Sequence, residues 1–215
     1  MILKIKDKKI ENKNCFSLIL EKPDNFRFYP GQYLDIKLPV NDPFGDTRAF
    51  TLSSSPTEDF LMITPKKGIS PFKKFIEQLK EGDEIESSHP AGTFTLDETE
   101  KAVFLAGGIG ITPFRSIIKY AVDNKLKTPI TLIYSNSSKD FLFKEELEKW
   151  KTNLPKLTII YHHSTQNGRL IKLPNTHSIY YLAGSHSFVN SMEKILLDSG
   201  VDETNIRYDR FDGYD

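Results

Sequence analysis

Residues 101–120, KAVFLAGGIGITPFRSIIKY, place a glycine-rich turn between two different apolar rhythms. Residues 102–106 form a short apolar run of the kind that makes a buried strand. After the turn, Phe114, Ile117, Ile118, Ala121 and Val122 fall at i, i+3, i+4, i+7 and i+8, one face of a helix. Thr112 suits the N-cap of that helix, and Pro113 suits its first position, where a missing N–H costs nothing. A glycine turn that feeds a helix N-terminus offers unpaired N–H groups and the positive end of a dipole, a combination that binds diphosphates. The same glycines equally serve to turn the chain tightly between strand and helix. Gly108-Ile109-Gly110 supplies only the first part of G-x-G-x-x-G, with Pro113 where the third glycine would stand. No acidic residue sits cleanly at the end of the next strand to hold a ribose 2′-hydroxyl.

The elements that must position this turn come in two halves. In the first, residues 14–21, 31–38, 47–52, 60–65 and 84–88 are short strand-like runs separated by Pro, Gly, Asp and Asn. That spacing predicts an antiparallel barrel or sandwich. One helix interrupts it, capped by Ser70, started by Pro71, striped by Phe72, Phe75, Ile76 and Leu79, and ended by Gly82. The second half alternates. Strands are expected at 102–106, 130–134, 157–161, 178–183 and 205–208, with helices at 113–123, 143–151 and 188–198 and Gly200 closing the last. A loop surrounds Gln166-Asn167-Gly168. Strand–helix alternation means a doubly wound parallel sheet that binds ligands at the carboxyl ends of its strands. The polar stretch near 96–101 divides the chain into an antiparallel β-barrel domain, residues 1–97, and a nucleotide-binding α/β domain, residues 98–215.

Bulk composition narrows the classes. At 215 residues there is room for one large or two small domains. Lys+Arg and Asp+Glu number 29 each, so the net charge is zero and no nucleic-acid partner is implied. A single cysteine, Cys15, excludes a disulfide framework and any four-cysteine iron–sulfur or zinc site within this sequence. The start, MILKIKDKK, lacks the apolar stretch of a signal peptide, and no run reaches the length of a membrane span. A soluble cytoplasmic protein is expected. His162 and His163 are adjacent on an extended stretch and face opposite ways, and His89, His177 and His186 show no ligand spacing, so no metal site is expected.

Five segments, from Pro30 to Tyr214, carry a family resemblance. They are Pro30-Gly31-Gln32-Tyr33, Arg48-Ala49-Phe50-Thr51, Gly68-Ile69-Ser70, Gly107-Gly108-Ile109-Gly110-Ile111-Thr112-Pro113 and Asp209-Arg210-Phe211-Asp212-Gly213-Tyr214. In this order and spacing the chain resembles the ferredoxin–NADP⁺ reductase-type flavoproteins. The resemblance implies that Arg48 clamps a flavin phosphate, Phe50 lies against the isoalloxazine and Thr51 offers a hydroxyl near N5. Ala49 belongs to the same motif. On a strand, however, Arg48 and Phe50 share one face while Thr51 points to the other, a strain relieved only by a bulge or bend. Gly68, Ile69 and Ser70 would bind phosphate at the helix mouth. Thr64, Pro65 and Lys66 would flank the flavin ring or its ribityl chain, although Lys66 alone reads as a solvated lysine. Gly107, Gly108, Gly110, Thr112 and Pro113 would hold the pyridine-dinucleotide pyrophosphate.

Ala183-Gly184-Ser185 resembles the family's C-G-P segment near the nicotinamide, with Ala183 for the cysteine and Ser185 for the proline. Asp209 stands for a glutamate that orients the nicotinamide or relays a proton, and Phe211 and Tyr214 would close over the flavin. The choice between NADH and NADPH falls to the segment from Ser135 and Asn136 to Lys139 and Asp140, where Ser135 and Lys139 would receive a 2′-phosphate and Asp140 would repel one. The resemblance implies an NAD(P)H-dependent oxidoreductase with FAD, or FMN, passing electrons to a separate acceptor. That acceptor would be a ferredoxin, a flavodoxin-like carrier or an oxygenase component. Two alternatives stay open: a reductase of free flavin, and a non-catalytic nucleotide-binding or redox-sensing subunit.

Overall fold

The computed structural model describes residues 1–168, 170, 173 and 177–212. Its first half is a six-stranded antiparallel sheet of β1 (Ile2–Ile10), β2 (Phe16–Glu21), β3 (Tyr33–Lys37), β4 (Thr47–Thr51), β5 (Phe60–Ile63) and β6 (Glu84–Ser87). The order is β4-β3-β6-β1-β2-β5. Just past β4, Ser53 N donates to Met62 O at 2.8 Å, so the two ends of the sheet curl together around a core that includes Leu3, Phe16, Leu18, Leu34 and Ile36. β1 is an addition to the strands expected from sequence. Only Leu3 and Ile5 point inward, and a register shift between Ile5 and Asp7 breaks the alternation, leaving a lysine-rich run without a readable period.

Helix α1 (Pro71–Gln78) closes the barrel with Phe72 and Ile76. Ser70 caps it, accepting from Lys73 N at 3.3 Å, and Pro71 occupies the first turn as expected. The helix stops at Gln78, earlier than a Gly82 terminator implies. Gly82, at φ +89°, instead turns the chain into β6, its N–H donating to Ile5 O at 2.9 Å.

The second half is a five-stranded parallel sheet of β7 (Ala102–Gly107), β8 (Ile130–Asn136), β9 (Leu157–His163), β10 (Ile179–Ser185) and β11 (Ile206–Phe211), ordered β11-β10-β7-β8-β9. The central strands β7, β8 and β10 are buried on both faces, which is why they read as apolar runs, whereas the edge strands β9 and β11 expose one face. Ala102, Phe104 and Ala106 join the core under α2 (Ile111–Asp123) and α3 (Lys144–Asn153), while Val103 and Leu105 join the core under α5 (His186–Asp198). The loop expected around residues 166–168 begins as a single helical turn, α4 (Ser164–Asn167). Strand order reverses between β7 and β10, so a crevice opens there at the carboxyl ends of the strands. Gly200 follows α5 at φ +83°, the closing glycine anticipated from sequence. The final strand runs to Phe211, three residues further than expected, so Asp209 and Phe211 sit in the sheet opposite Ala183 and Ser185.

The two halves are joined by a buried cation. Arg115 of α2, 3% exposed, donates to Ser53 O (2.7 Å) and Glu58 (3.1 Å) of the barrel, and to Glu146 of α3 (2.8 Å). Phe143 and Trp150 flank its guanidinium at 5.3 and 5.2 Å. Beside it, Ser116 Oγ donates to Ser54 O at 2.6 Å. Arg115→Met should lower the unfolding free energy by about 3 kcal/mol, because it strands Glu58 and the Ser53 carbonyl. Glu146→Gln, at a carboxylate 35% exposed, should cost under about 1 kcal/mol. Urea melts of the two variants check the contrast.

Candidate functional site

At the reversal point, β7 ends in a 3₁₀ turn, Gly108–Gly110, that runs directly into α2. The helix starts at Ile111 with Gly110 at its cap, two residues before the expected start. Thr112 is therefore not the N-cap. Its buried hydroxyl donates to Ile109 O at 3.1 Å, and Pro113 stands in the first turn beside it. A continuous 3₁₀-to-α transition satisfies these backbone groups internally, so no side-chain cap is needed.

The glycines of the turn do different work. Gly108 has φ +54°, and a Cβ there would meet nothing nearer than Asn136 Oδ1 at 4.0 Å, so its backbone faces open space. At Gly110 a Cβ would lie 2.1 Å from Ala183 O, so this glycine serves the close approach of the turn to β10. At Gly107 a Cβ would strike the Phe188 ring at 2.5 Å. Gly184, opposite, also lies against Phe188 and Gly107 O.

A cleft of about 250 Å³ opens at this point. Gly107, Gly108, Ser135, Asn136 and Ser185 line it, and Lys66 reaches it from the barrel. Six of the residues singled out from sequence thus converge on one crevice. Ile109, Ser137, Ser164 and Phe188 complete the lining, and Lys139 and Asp140 are not among these residues. Ser135 Oγ lies 3.2 Å from His162 Nδ1, and Asn136 Nδ2 donates to Asp140 O at 2.9 Å, which ties down the loop after β8. Ser185 caps α5, accepting from Phe188 N at 3.3 Å. Phe188 carried no motif of its own in the sequence, where it reads only as the first apolar residue of a helix.

The barrel's residues divide between two faces of β4. Its register with β3 is unbroken from Lys37–Thr47 to Tyr33–Thr51, so no bulge brings Arg48, Phe50 and Thr51 to one side. Arg48 and Phe50 both lie on Phe72 of α1, with Arg48 5.1 Å from the ring centroid and Phe50 stacked at 6.1 Å. Ala49, between them, is exposed. Arg48 Nη1 donates to the carbonyls of Phe44, Gly45 and Thr47, and Nη2 donates to Asp42 at 2.9 Å. Asp42 also accepts from Phe72 N and from the Ser70 side chain at the mouth of α1. Backbone N–H bonds, the Ser70 hydroxyl and Arg48 together hold its carboxyl below the ordinary value. Sequence reasoning passed over Asp42 because VNDPFGD reads as a turn.

Gly68 is covered by the Lys73 side chain, and Ile69 is 90% exposed. Thr64 does not face this site. It is buried, its hydroxyl shared with Ser17 (2.9 Å) and Ser53 (2.8 Å).

Thr51, on the opposite face, meets the α/β half. Its hydroxyl donates to Asp209 Oδ2 at 3.5 Å. Burial pushes the Asp209 carboxyl up from 3.8 to about 6, and the Thr51 bond opposes the shift. Phe211 packs against the α/β core at the end of the same strand. Tyr214 lies outside the described residues. Among the described residues no cluster of His, Cys, Asp or Glu is arranged to hold a metal, and no helix is long and apolar enough to cross a membrane.

A curled antiparallel sheet joined to a doubly wound domain, with a glycine-lined crevice between them, defines the architecture of two-domain flavin and pyridine-nucleotide oxidoreductases. Residues 104–194 match the oxidoreductase NAD-binding domain family. A flavohemoprotein of Bacillus subtilis (strain 168) is 31% identical over 231 residues, covering 96% of this chain and 58% of that protein. The glycine betaine monooxygenase reductase subunit of Pseudomonas aeruginosa (strain PAO1) is 30% identical over 151 residues, covering 67% of this chain and 41% of that protein. The fold superposes on ferredoxin-NADP⁺ reductase from Plasmodium falciparum with a TM-score of 0.83 at 21% identity, covering 98% of this chain and 95% of that one. The chain belongs to the ferredoxin–NADP⁺ reductase-type flavoprotein family. It spans about 58% of the length of the flavohemoprotein it matches.

Two outcomes test the site. Gly110→Ala should cost about 3 kcal/mol or more, because its Cβ would lie 2.1 Å from the Ala183 carbonyl oxygen, whereas Gly108→Ala, whose Cβ enters open space, should cost only the about 1–2 kcal/mol of a left-handed backbone. Thermal melts separate them. The raised Asp209 pKa favours the fold fully below 3.8, and that contribution is lost as pH rises through 6. Asp209→Asn should therefore stabilise the protein at pH 8 by about 1–2 kcal/mol once partial exposure is allowed for. The advantage should shrink as pH falls from 6 towards 4, read by denaturant melts across that range.

Proposed function

We propose that this chain is an NAD(P)H-dependent flavoprotein reductase that takes hydride from a nicotinamide and passes electrons to an acceptor outside the chain. The observation that carries the reading is the crevice at the strand reversal, where the open backbone of Gly108, the hydroxyls of Ser135 and Ser185, and the cation of Lys66 surround one space. That donor set fits a dinucleotide pyrophosphate and its sugars. In this reading residues 98–215 bind the dinucleotide and residues 1–97 bind the flavin.

On the barrel, the donors around Arg48 and Ser70 have the chemistry of a phosphate cradle, and they would hold the flavin's phosphate end. When bound, the flavin supplies N5 as acceptor for hydride from nicotinamide C4 and releases electrons one or two at a time. The chain's own contribution is positional. Thr51 presents a hydroxyl at the meeting of the halves, Asp209 supplies a carboxyl able to hold a proton near neutral pH, and Phe188 with Gly107 and Gly184 shapes the crevice floor. FAD is the flavin named for a related structure, a flavohemoglobin from Malassezia yamatoensis with bound FAD and heme. The acceptor would be a ferredoxin, a flavodoxin-like carrier or an oxygenase component, in keeping with a relative described as a monooxygenase reductase subunit.

A second reading, reduction of free flavin, is favoured by one observation: Arg48 and the α1 N-terminus are already bound to Asp42. Gel filtration decides between the two, because a bound flavin keeps the protein yellow and an exchangeable one leaves with the buffer. With dye, ferredoxin or free flavin as acceptor, the protein should oxidise NADH or NADPH. Lys66→Met should raise the dinucleotide KM by tenfold or more, the loss of one charge-assisted contact of about 1.5–3 kcal/mol. Failure to oxidise either nucleotide with every acceptor would move the chain to the regulatory reading.

A further inference from the structure

From Pro71 to Lys74, every backbone N–H of the first turn of α1 is bonded within the chain. Pro71 has no N–H. Phe72 N donates to Asp42 Oδ2 at 3.0 Å. Lys73 N donates to Ser70 Oγ at 3.3 Å and Lys74 N to Ser70 O at 2.9 Å. The Ser70 hydroxyl in turn bonds the Asp42 carboxylate. Arg48, the cation expected to meet a phosphate, spends Nη2 on Asp42 and Nη1 on the carbonyls of Phe44 and Gly45 in the same loop and of Thr47 in β4. Asp42 Oδ1 also accepts from Phe44 N at 3.0 Å. Its side chain is fully buried while making these bonds. A carboxylate held by a guanidinium, a hydroxyl and two backbone N–H groups is bound in the way a phosphate oxygen would be.

We propose that Asp42 is an internal anion competing with the flavin phosphate for Arg48 and the α1 N-terminus, which makes bound flavin exchangeable. The inference rests on the flavin reading above and deepens it. The loop that carries Asp42, residues 41–46, is built to leave. Gly45 turns it at φ +88°, and Phe44 at its tip is 84% exposed, so little apolar surface holds it down. Its attachment is mostly polar, through Arg48 and α1, and an arriving phosphate can replace those bonds one for one. The more strongly charged phosphate gains both the guanidinium and the helix N-terminus. The exchange cancels most of what the phosphate would otherwise contribute, so a flavin's phosphate adds little net affinity in the wild-type chain.

The test titrates the full-length, flavin-free protein with riboflavin, FMN and FAD, following quenching of flavin fluorescence. Wild type should bind FMN within about threefold of riboflavin, which has no phosphate. Asp42→Asn keeps the shape and weakens the hold on Arg48, so it should tighten FMN and FAD by about tenfold and leave riboflavin unchanged. Adding Arg48→Ala to Asp42→Asn should abolish the gain. Equal affinities in Asp42→Asn and wild type, or FMN binding weakened by Asp42→Asn, would overturn the proposal, the latter making Asp42 a residue that orients Arg48 for phosphate. Hydrogen exchange on wild type gives a reading that needs no variant: FMN should deprotect the Phe44 amide, and riboflavin should not. Deprotection by neither or by both flavins refutes displacement by phosphate. If no flavin binds to any form, the flavin reading itself falls, and that result is distinct from the others.

Discussion

The geometry of this molecule hangs on one buried guanidinium. Arg115 stands on α2, the helix that begins at the glycine turn, and donates to Ser53 O, two residues beyond Thr51 of the barrel. A cation 3% exposed persists only if its donors are all used, and Ser53 and Glu58 of the loop between β4 and β5 and Glu146 of α3 use them. The flavin-motif strand, the turn helix and α3 therefore cannot shift independently without stranding a charge. Phe143 takes a left-handed backbone (φ +59°) at the start of α3, and its ring stands over this guanidinium. Local strain is retained there beside a buried charge.

What sequence reveals depends on whether a residue's neighbours are near it along the chain. The central parallel strands were legible because burial on both faces makes continuous apolar runs, and the cap at Ser70 because its partner is three residues away. Gly200 was legible for the same local reason. β1 was not, since its bulge after Ile5 removes the period. Gly110 carries the motif of a ligand turn but is required by the carbonyl of Ala183, more than seventy residues away, and no local pattern distinguishes the two demands. Arg115 lies within a helix whose apolar stripe was read correctly, yet its burial depends on acids 57 and 31 residues distant. Thr64 sits at the right strand end and turns inward because Ser17 and Ser53 offer its hydroxyl partners there.

The two helix mouths that the sequence pairs with anions are in opposite states. At α2 the 3₁₀ turn satisfies the helix start internally while leaving the Gly108 backbone facing open space. At α1 the donors converge on one point and a carboxylate from the chain holds it. Both follow from the rule that helix N-termini do not leave buried donors unpaired. The α2 turn meets the rule with its own carbonyls and leaves the Gly108 backbone facing open space. At α1 the demand is met by a loop carrying an acid, Asp42, so an outside anion would have to compete with it.

Where the halves meet on their other side, the contact is of a different kind. Thr51 and Asp209 are 3.5 Å apart, at the long limit of a hydrogen bond, and the carboxyl is held up near 6 by burial instead of being lowered by a strong partner. A bond that weak does not fix the separation of the halves; Arg115, Ser116 and their short bonds do. Asp209 is thus held at the interface by a framework that does not depend on it. Its ionisation costs stability as pH rises through 6, but the short bonds that set the separation of the halves do not involve it. A group that must titrate beside a reacting centre, in a site whose distances have to stay constant, is best placed in this way, with its charge uncommitted and its position set by other residues.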